Sequence, residues 1–302
     1  CGFMRNFFID LLTKEAKSNN KIMLMVGDLG FSVVENFKEK YPKQFINAGV
    51  AEQNMTGMAA GLASEKFHVF TYSIANFNTF RCSEQIRNDI DYHNYNVTVV
   101  SVGGGLSYGA LGYSHHAIQD YALMRSFPNM TIYAPGTRSE IANCMKQIFK
   151  SKSPAYLRLG KTLPKNLKKP NQPHDHAPGK WTKILECKNR ESRKCILTTG
   201  AVIDDAVKMQ KKEEFSNYHI YSLPIWGMKY KTLQAQQINK WDEIVTLEDH
   251  LEDGGFGSYI LECNSSIQKV GETKIKLKSL NKNVCNTVGD QDNLKEHFKF
   301  AH

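Results

Sequence analysis

The chain has 302 residues, 41% apolar and 23% charged, a balance that suits a globular protein long enough for two domains. No run of about eighteen apolar residues and no signal-peptide design at the start is present, so a soluble cytoplasmic protein with no membrane partner is expected. The formal net charge is +9, but the lysines are dispersed without aromatic interleaving, which argues against nucleic acid and for anionic small substrates, while seven scattered cysteines show no metal or redox spacing.

Residues 5–17 are expected as a helix, with Phe7, Phe8, Leu11, Leu12 and Ala16 on one face. Residues 21–26 read as a buried strand ending in the turn Gly27-Asp28-Leu29-Gly30. An α/β sheet presents ligands at the carboxyl ends of its strands, so Asp28 and Ser32 fall at the working edge. Either they serve a site, or they are a turn aspartate and a capping serine ahead of a helix over 33–41. Phe45-Ile46-Asn47 is a further strand end, and Ala48-Gly49-Val50-Ala51 leads into a helix of small residues with Glu52 near its start. Such a carboxylate is either a first-turn charge favoured by the helix dipole or an acid of raised pKa kept for proton chemistry, and both readings stay open.

A strand over 67–71 precedes Ile74-Ala75-Asn76-Phe77-Asn78-Thr79-Phe80-Arg81 and a helix to about residue 92. A phenylalanine at such a junction is ordinarily core. Strand 97–102 opens into a loop from Gly103 to His116, rich in glycine and hydroxyls and ending in paired histidines. Its glycine spacing is not a dinucleotide fingerprint, and adjacent histidines do not readily share one zinc ion, so no metal site is expected there. Loops of this length inside a domain are usually functional. Strand 131–134, a helix from Pro135-Gly136-Thr137 to residue 150, and strand 155–159 follow, the last ending in Arg158-Leu159-Gly160-Lys161. Residues 162–179 shift to Pro, Lys, Asn and His and read as a linker. Beyond it, strands over 194–199, 218–223, 243–247 and 274–277 alternate with helices over 202–211, 232–239 and 257–263.

The stretch Gly49-Val50-Ala51-Glu52-Gln53-Asn54 resembles the Gly-x-Ala-Glu-Gln/His-Asn/Ala signature of thiamine-diphosphate enzymes built like transketolase. The likeness extends over nearly the whole chain. It implies an α/β fold: a pyrimidine-binding domain over 1–165, made of a parallel sheet with helices on both faces, a linker over 166–185, and a transketolase-type C-terminal α/β domain over 186–302. The stretch Thr246-Leu247-Glu248-Asp249-His250 with Gly254-Gly255-Phe256-Gly257 resembles that C-terminal domain, and there His250 is given a structural role.

By this resemblance Glu52 is the activating acid, which bonds ring nitrogen N1′ and so prepares the 4′-nitrogen to take the thiazolium C2 proton. Phe77 stands against the aminopyrimidine when Arg81 and Glu84-Gln85-Ile86 fix the register, with Phe80 as the alternative, and Asp28 is a further cofactor contact. His115, followed by Asp120, Met124-Arg125 and Pro128-Asn129-Met130, faces the substrate as catalyst or ligand. Arg5, Ser32 and Lys161 complete the substrate contacts, Lys161 being a point charge where relatives carry an arginine fork.

Gly27-Asp28 with Asn54 only superficially matches the Gly-Asp-Gly…Asn-Asn pattern that binds the magnesium-diphosphate end of the cofactor, since Leu29 replaces the third glycine. The expected protein is therefore the C-terminal subunit of a split transketolase. Thiamine diphosphate is its expected cofactor, with magnesium or calcium bound mainly by an N-terminal diphosphate-binding subunit in a two-plus-two assembly. The reaction implied moves a two-carbon ketol unit from a phosphorylated ketose to an aldose. Gly103 and Leu111 stand where relatives place a histidine and an aspartate against sugar hydroxyls, so a non-standard donor is expected. The alternatives are a beta-type subunit of a 2-oxo-acid dehydrogenase, a deoxyxylulose-phosphate-synthase-like enzyme, and a non-catalytic scaffold or regulatory subunit.

Overall fold

The computed structural model describes residues 3–165, 167, 177–265, 273–298 and 300. The first half runs α1 (Met4–Ala16), β1 (Ile22–Val26), α2 (Glu35–Lys40), β2 (Phe45–Asn47), α3 (Glu52–Ser64), β3 (His68–Ile74), α4 (Ala75–Thr79), α5 (Ser83–Gln85), β4 (Val97–Val102), α6 (Asp120–Met124), β5 (Thr131–Tyr133), α7 (Arg138–Lys150) and β6 (Ala155–Leu159). The second half adds β7 (Thr182–Leu185), β8 (Lys194–Thr198), α8 (Ile203–Gln210), β9 (His219–Ser222), β10 (Ile225–Trp226), α9 (Lys231–Ile238), β11 (Glu243–Leu251), α10 (Phe256–Ser265), β12 (Lys274–Leu280) and α11 (Gln291–His297).

β1, β4 and β6 are buried at every position, as strands of a parallel sheet covered on both faces must be. Along β1 the side chains alternate between two cores. Ile22, Leu24 and Val26 pack with Met4, Phe8 and Leu12 of α1 and with Ile141 and Met145 of α7. Met23 and Met25 turn to the other face, with Met55, Ala59 and Ala63 of α3. The resulting sheet has the order β10-β5-β6-β4-β3-β1-β2 and is parallel except for β10, which the second half contributes antiparallel to β5. A five-stranded sheet, β12-β11-β8-β9-β7, carries the second core and is parallel except for β7.

The order of the first sheet reverses at β1. β2 lies on one side of it and β3 on the other, so a crevice opens beyond the carboxyl ends of β1 and β3. Such a switch point is where open α/β sheets bind ligands.

Several expected elements differ in detail. The helix over 33–41 is shorter, and Ser32 does not cap it: its backbone N–H instead donates to Glu35 Oε1 at 2.7 Å, from φ +61°. The helix expected to about residue 92 is present, but its pitch changes along the way: α4, a 3-10 turn over Phe80–Cys82, α5 and a π-helical stretch over Ile86–Asp91. Of the expected linker 166–185, residues 166 and 168–176 lie outside the described residues, and the second sheet already begins at Thr182. Among the described residues no helix is long and apolar enough to cross a membrane.

Candidate active site

The crevice is framed by Asn47 at the end of β2. Its Oδ1 accepts the backbone N–H groups of Asp28 (3.1 Å) and Gly49 (3.0 Å), while its amide donates to Asp28 Oδ1 at 2.9 Å. One side chain thus ties the turn after β1 to the turn before α3. Both turns need left-handed backbone, at Asp28 (φ +55°) and Gly49 (φ +73°). Asp28 is exposed, with its carboxylate engaged by Asn47.

α3 then begins at Glu52, whose residue exposure is only 1%. Arg81 Nη1 donates to Glu52 Oε2 at 2.7 Å, and Oε1 carries no hydrogen bond among the described residues. Beside it, Ser73 Oγ at the end of β3 is buried without a hydrogen-bond partner among the described residues, and Gly27 is close enough that a Cβ there would lie 3.7 Å from Oε1. Arg81 is half in solvent and covers the half-buried Phe77 ring, 4.7 Å from its centroid. Phe77 in turn meets the His115 ring edge-on at 5.1 Å. Glu52, Arg81, Phe77 and His115 therefore form one connected wall, while Phe80 is exposed.

His115 rides on the long loop after β4. Asn76 Nδ2 pins that loop by donating to the carbonyls of Ser114 (3.1 Å) and His116 (3.0 Å). Burial, with a smaller contribution from His116, holds the His115 imidazole below its usual pKa, which favours its neutral form. The second half braces the same loop: Asp249 fills the space a Cβ on Gly105 would need, and the Gly289 N–H donates to the Gly109 carbonyl at 3.3 Å.

The expected substrate contacts are scattered more widely. Arg5 is half-buried at the start of α1 with its Nε unpartnered, and Ser32 is exposed beside the β1 turn. Lys161 is exposed and lines a cleft of about 330 Å³ with Lys208, Asp204, Asp205 and Asp292, a cleft to which Glu52, Phe77 and His115 contribute nothing. At Gly103, where relatives carry a histidine, the Tyr108 ring occupies the space that a side chain would need. Leu111 is exposed in the loop. His250 is fully buried, stacked on Tyr121 at 5.2 Å, and accepts the Ala122 N–H at 3.4 Å, which is a structural setting.

Sequence reasoning missed three positioning residues, Asn47, Arg81 and Asn76. All lie within or beside the motif-bearing stretches, but nothing in the one-dimensional pattern shows what they bond. A buried carboxyl with one free oxygen, an orphaned serine hydroxyl and an aromatic face converge here, a donor set that fits the aminopyrimidine end of thiamine diphosphate. Among the described residues no group of three or more His, Cys, Asp or Glu is placed to hold a metal ion.

Comparison with known families decides the assignment: the model of the transketolase pyrimidine-binding domain matches residues 3–165. The chain belongs to the transketolase family. It is 29% identical over 268 residues to an apulose-4-phosphate transketolase subunit of Phocaeicola vulgatus, a match that covers 86% of this chain and 83% of the relative. It is 31% identical over 267 residues to a putative transketolase C-terminal section of Methanocaldococcus jannaschii, covering 87% of this chain and 82% of the relative. Among solved structures, a split-gene transketolase in the form of an inactive β4 tetramer superposes with a TM-score of 0.80 at 26% identity, over 99% of this chain and 94% of that one. Dependence on thiamine diphosphate comes with the family.

Proposed function

We propose that this chain is the pyrimidine-binding subunit of a two-chain transketolase, which moves a two-carbon ketol unit from a phosphorylated ketose to an aldose once joined to a diphosphate-binding subunit. The observation that carries this reading is the Glu52 carboxyl, buried at the switch point with one oxygen held by Arg81 and the other free.

Bound there, thiamine diphosphate supplies the carbon nucleophile that ketol transfer requires. Glu52 shares a proton with the aminopyrimidine ring, and Arg81 keeps its carboxyl oriented. Phe77, half-buried between Arg81 and His115, packs its aromatic ring against the cofactor ring. Neutral His115 takes or returns a substrate proton, or holds a substrate oxygen. Arg5, Ser32 and Lys161 serve the anionic end of the sugar, and Asp28 fixes the turn against the cofactor through Asn47.

Magnesium or calcium belongs mainly to the partner in this reading, since Leu29 breaks the Gly-Asp-Gly…Asn-Asn pattern and Asp28 Oδ1 is already bonded by Asn47. Phe31, Val50, Phe80, Leu111 and Tyr113 are exposed apolar residues next in sequence to the site segments, which supports coverage of this rim by a second chain in a two-plus-two assembly. The inactivity of the split-gene β4 tetramer points the same way. A relative that acts on apulose 4-phosphate supports a donor outside the ordinary ketoses. The described cysteines are thiols, which accords with a reducing, cytoplasmic setting.

The test is reconstitution. The purified chain alone is expected to bind thiamine diphosphate weakly and transfer no ketol unit, and addition of the diphosphate-binding subunit is expected to restore both. Full turnover by this chain, proven free of a second polypeptide, contradicts the proposal.

A further inference from the structure

The loop that carries His115 starts with a residue that has no side chain, and the space this leaves is filled from within the loop. Gly103 ends β4 in left-handed backbone (φ +84°), and a Cβ there would lie 2.1 Å from Cε2 and 2.3 Å from Cδ2 of Tyr108. The Tyr108 ring and any side chain at position 103 therefore exclude one another. Tyr108 is half-buried, one side on the backbone, and its ring stands perpendicular to His115 with centroids 6.4 Å apart. The aromatic wall that begins at Arg81 and Phe77 thus continues past His115 to Tyr108.

Two buried polar atoms on the α1 side of the sheet, the Tyr72 hydroxyl and Nε of Arg5, have no hydrogen-bond partner among the described residues. Among the described residues, Arg5 and Tyr108 bear electrostatically on that hydroxyl, after burial itself. Burial keeps the Tyr72 phenol far above its usual pKa, so it stays a neutral donor. A buried hydroxyl and a guanidinium N–H without partners are costly unless a ligand or water completes them.

We propose that Tyr108 is a specificity-determining residue for the sugar-phosphate donor, its ring setting the space beside His115 at the end of β4 and its hydroxyl bonding a donor oxygen there. The inference rests on the transketolase reading above. A pocket built to bond a hydroxyl rejects analogues that lack it far more strongly than an apolar pocket does.

The test uses the chain reconstituted with its diphosphate-binding subunit, loaded with cofactor, as wild type, Tyr108→Phe and Tyr108→Ala. Donors are xylulose 5-phosphate, fructose 6-phosphate and a branched pentulose phosphate, and exchange of the cofactor C2 proton is followed without donor. Tyr108→Phe, which keeps the ring, is expected to lower kcat/KM for the best donor by about tenfold or more, chiefly through KM, with C2 exchange unchanged. Tyr108→Ala, which opens the space beside Gly103, is expected to narrow the ratio between best and worst donors. Wild-type kinetics for Tyr108→Phe on every donor, or a loss of C2 exchange as large as the loss of kcat/KM, overturns the proposal. Failure of the wild-type complex to transfer a ketol unit from any donor overturns the transketolase reading and this inference with it.

Discussion

Arg81 Nη1 lies 2.7 Å from Glu52 Oε2, a pair in which the carboxylate side chain is 2% exposed and the guanidinium 44%. One end of the pair is therefore fixed in the protein and the other faces the crevice. Arg81→Ala leaves Glu52 buried without a partner, and its rate of ketol transfer in the reconstituted complex is expected to fall by about 10- to 100-fold with the fold intact by circular dichroism. Arg81→Lys, which restores a charge but not the planar fork, is expected to recover only part of the loss. Wild-type rates for Arg81→Ala would show that the pair has no part in holding the acid.

Arg158 joins the halves of the chain. From β6 it bonds Asp120 at 2.6 Å and, from the other sheet, Asp249 at 2.5 Å, with all three side chains at most 2% exposed. Removing one partner of a buried pair typically costs about 3–5 kcal/mol because the other charge is stranded. Arg158→Ala is expected to lower the urea midpoint accordingly, and a midpoint within error of the wild type would refute the clasp.

Glu248 gives the stability a pH dependence. It is fully buried, and although it accepts the N–H groups of Phe256 (2.6 Å) and Gly257 (2.7 Å), burial raises its pKa from 4.5 to about 8. The native state therefore binds a proton that the unfolded chain has lost in this range, so the contribution of Glu248 is complete below about pH 4.5 and lost as pH rises through about 8. Between pH 5 and 9 the wild-type Tm is expected to fall by several degrees relative to Glu248→Gln, which cannot ionise. Parallel Tm profiles for the two proteins would count against it.

How much of this was legible in the sequence depended on distance along the chain. β1, β4 and β6 could be read because each is a short apolar run, buried on both faces. β7 and β10 could not: one is a short edge strand and the other only two residues long, and each owes its existence to a partner strand. Glu52 stood out through its motif, but Arg81, Asn47 and Asn76 act through bonds to residues 29, 19 and about 40 positions away. At Gly103 the sequence shows a missing histidine, but not that the backbone turns left-handed there and admits a ring from five residues on.

The two cations expected at the phosphate end sit in different surroundings. Arg5 is half-buried, its Nε without a hydrogen-bond partner among the described residues, whereas Lys161 is exposed in a cleft lined by several aspartates. Both Arg5→Ala and Lys161→Ala are expected to raise KM for a phosphorylated donor more than they lower kcat, with the larger effect at Arg5, on the order of tenfold. Equal KM values for wild type and Arg5→Ala would place the phosphate elsewhere.

The central claim is that Glu52 is the acid that activates the cofactor. Its most direct measurement is the rate at which the C2 proton of thiamine diphosphate exchanges with solvent in the assembled two-chain complex, wild type against Glu52→Gln. An amide of the same shape cannot share the proton, so exchange is predicted to slow by about 10²–10⁴-fold while the complex still assembles and binds cofactor. Exchange at the wild-type rate in Glu52→Gln would contradict the account.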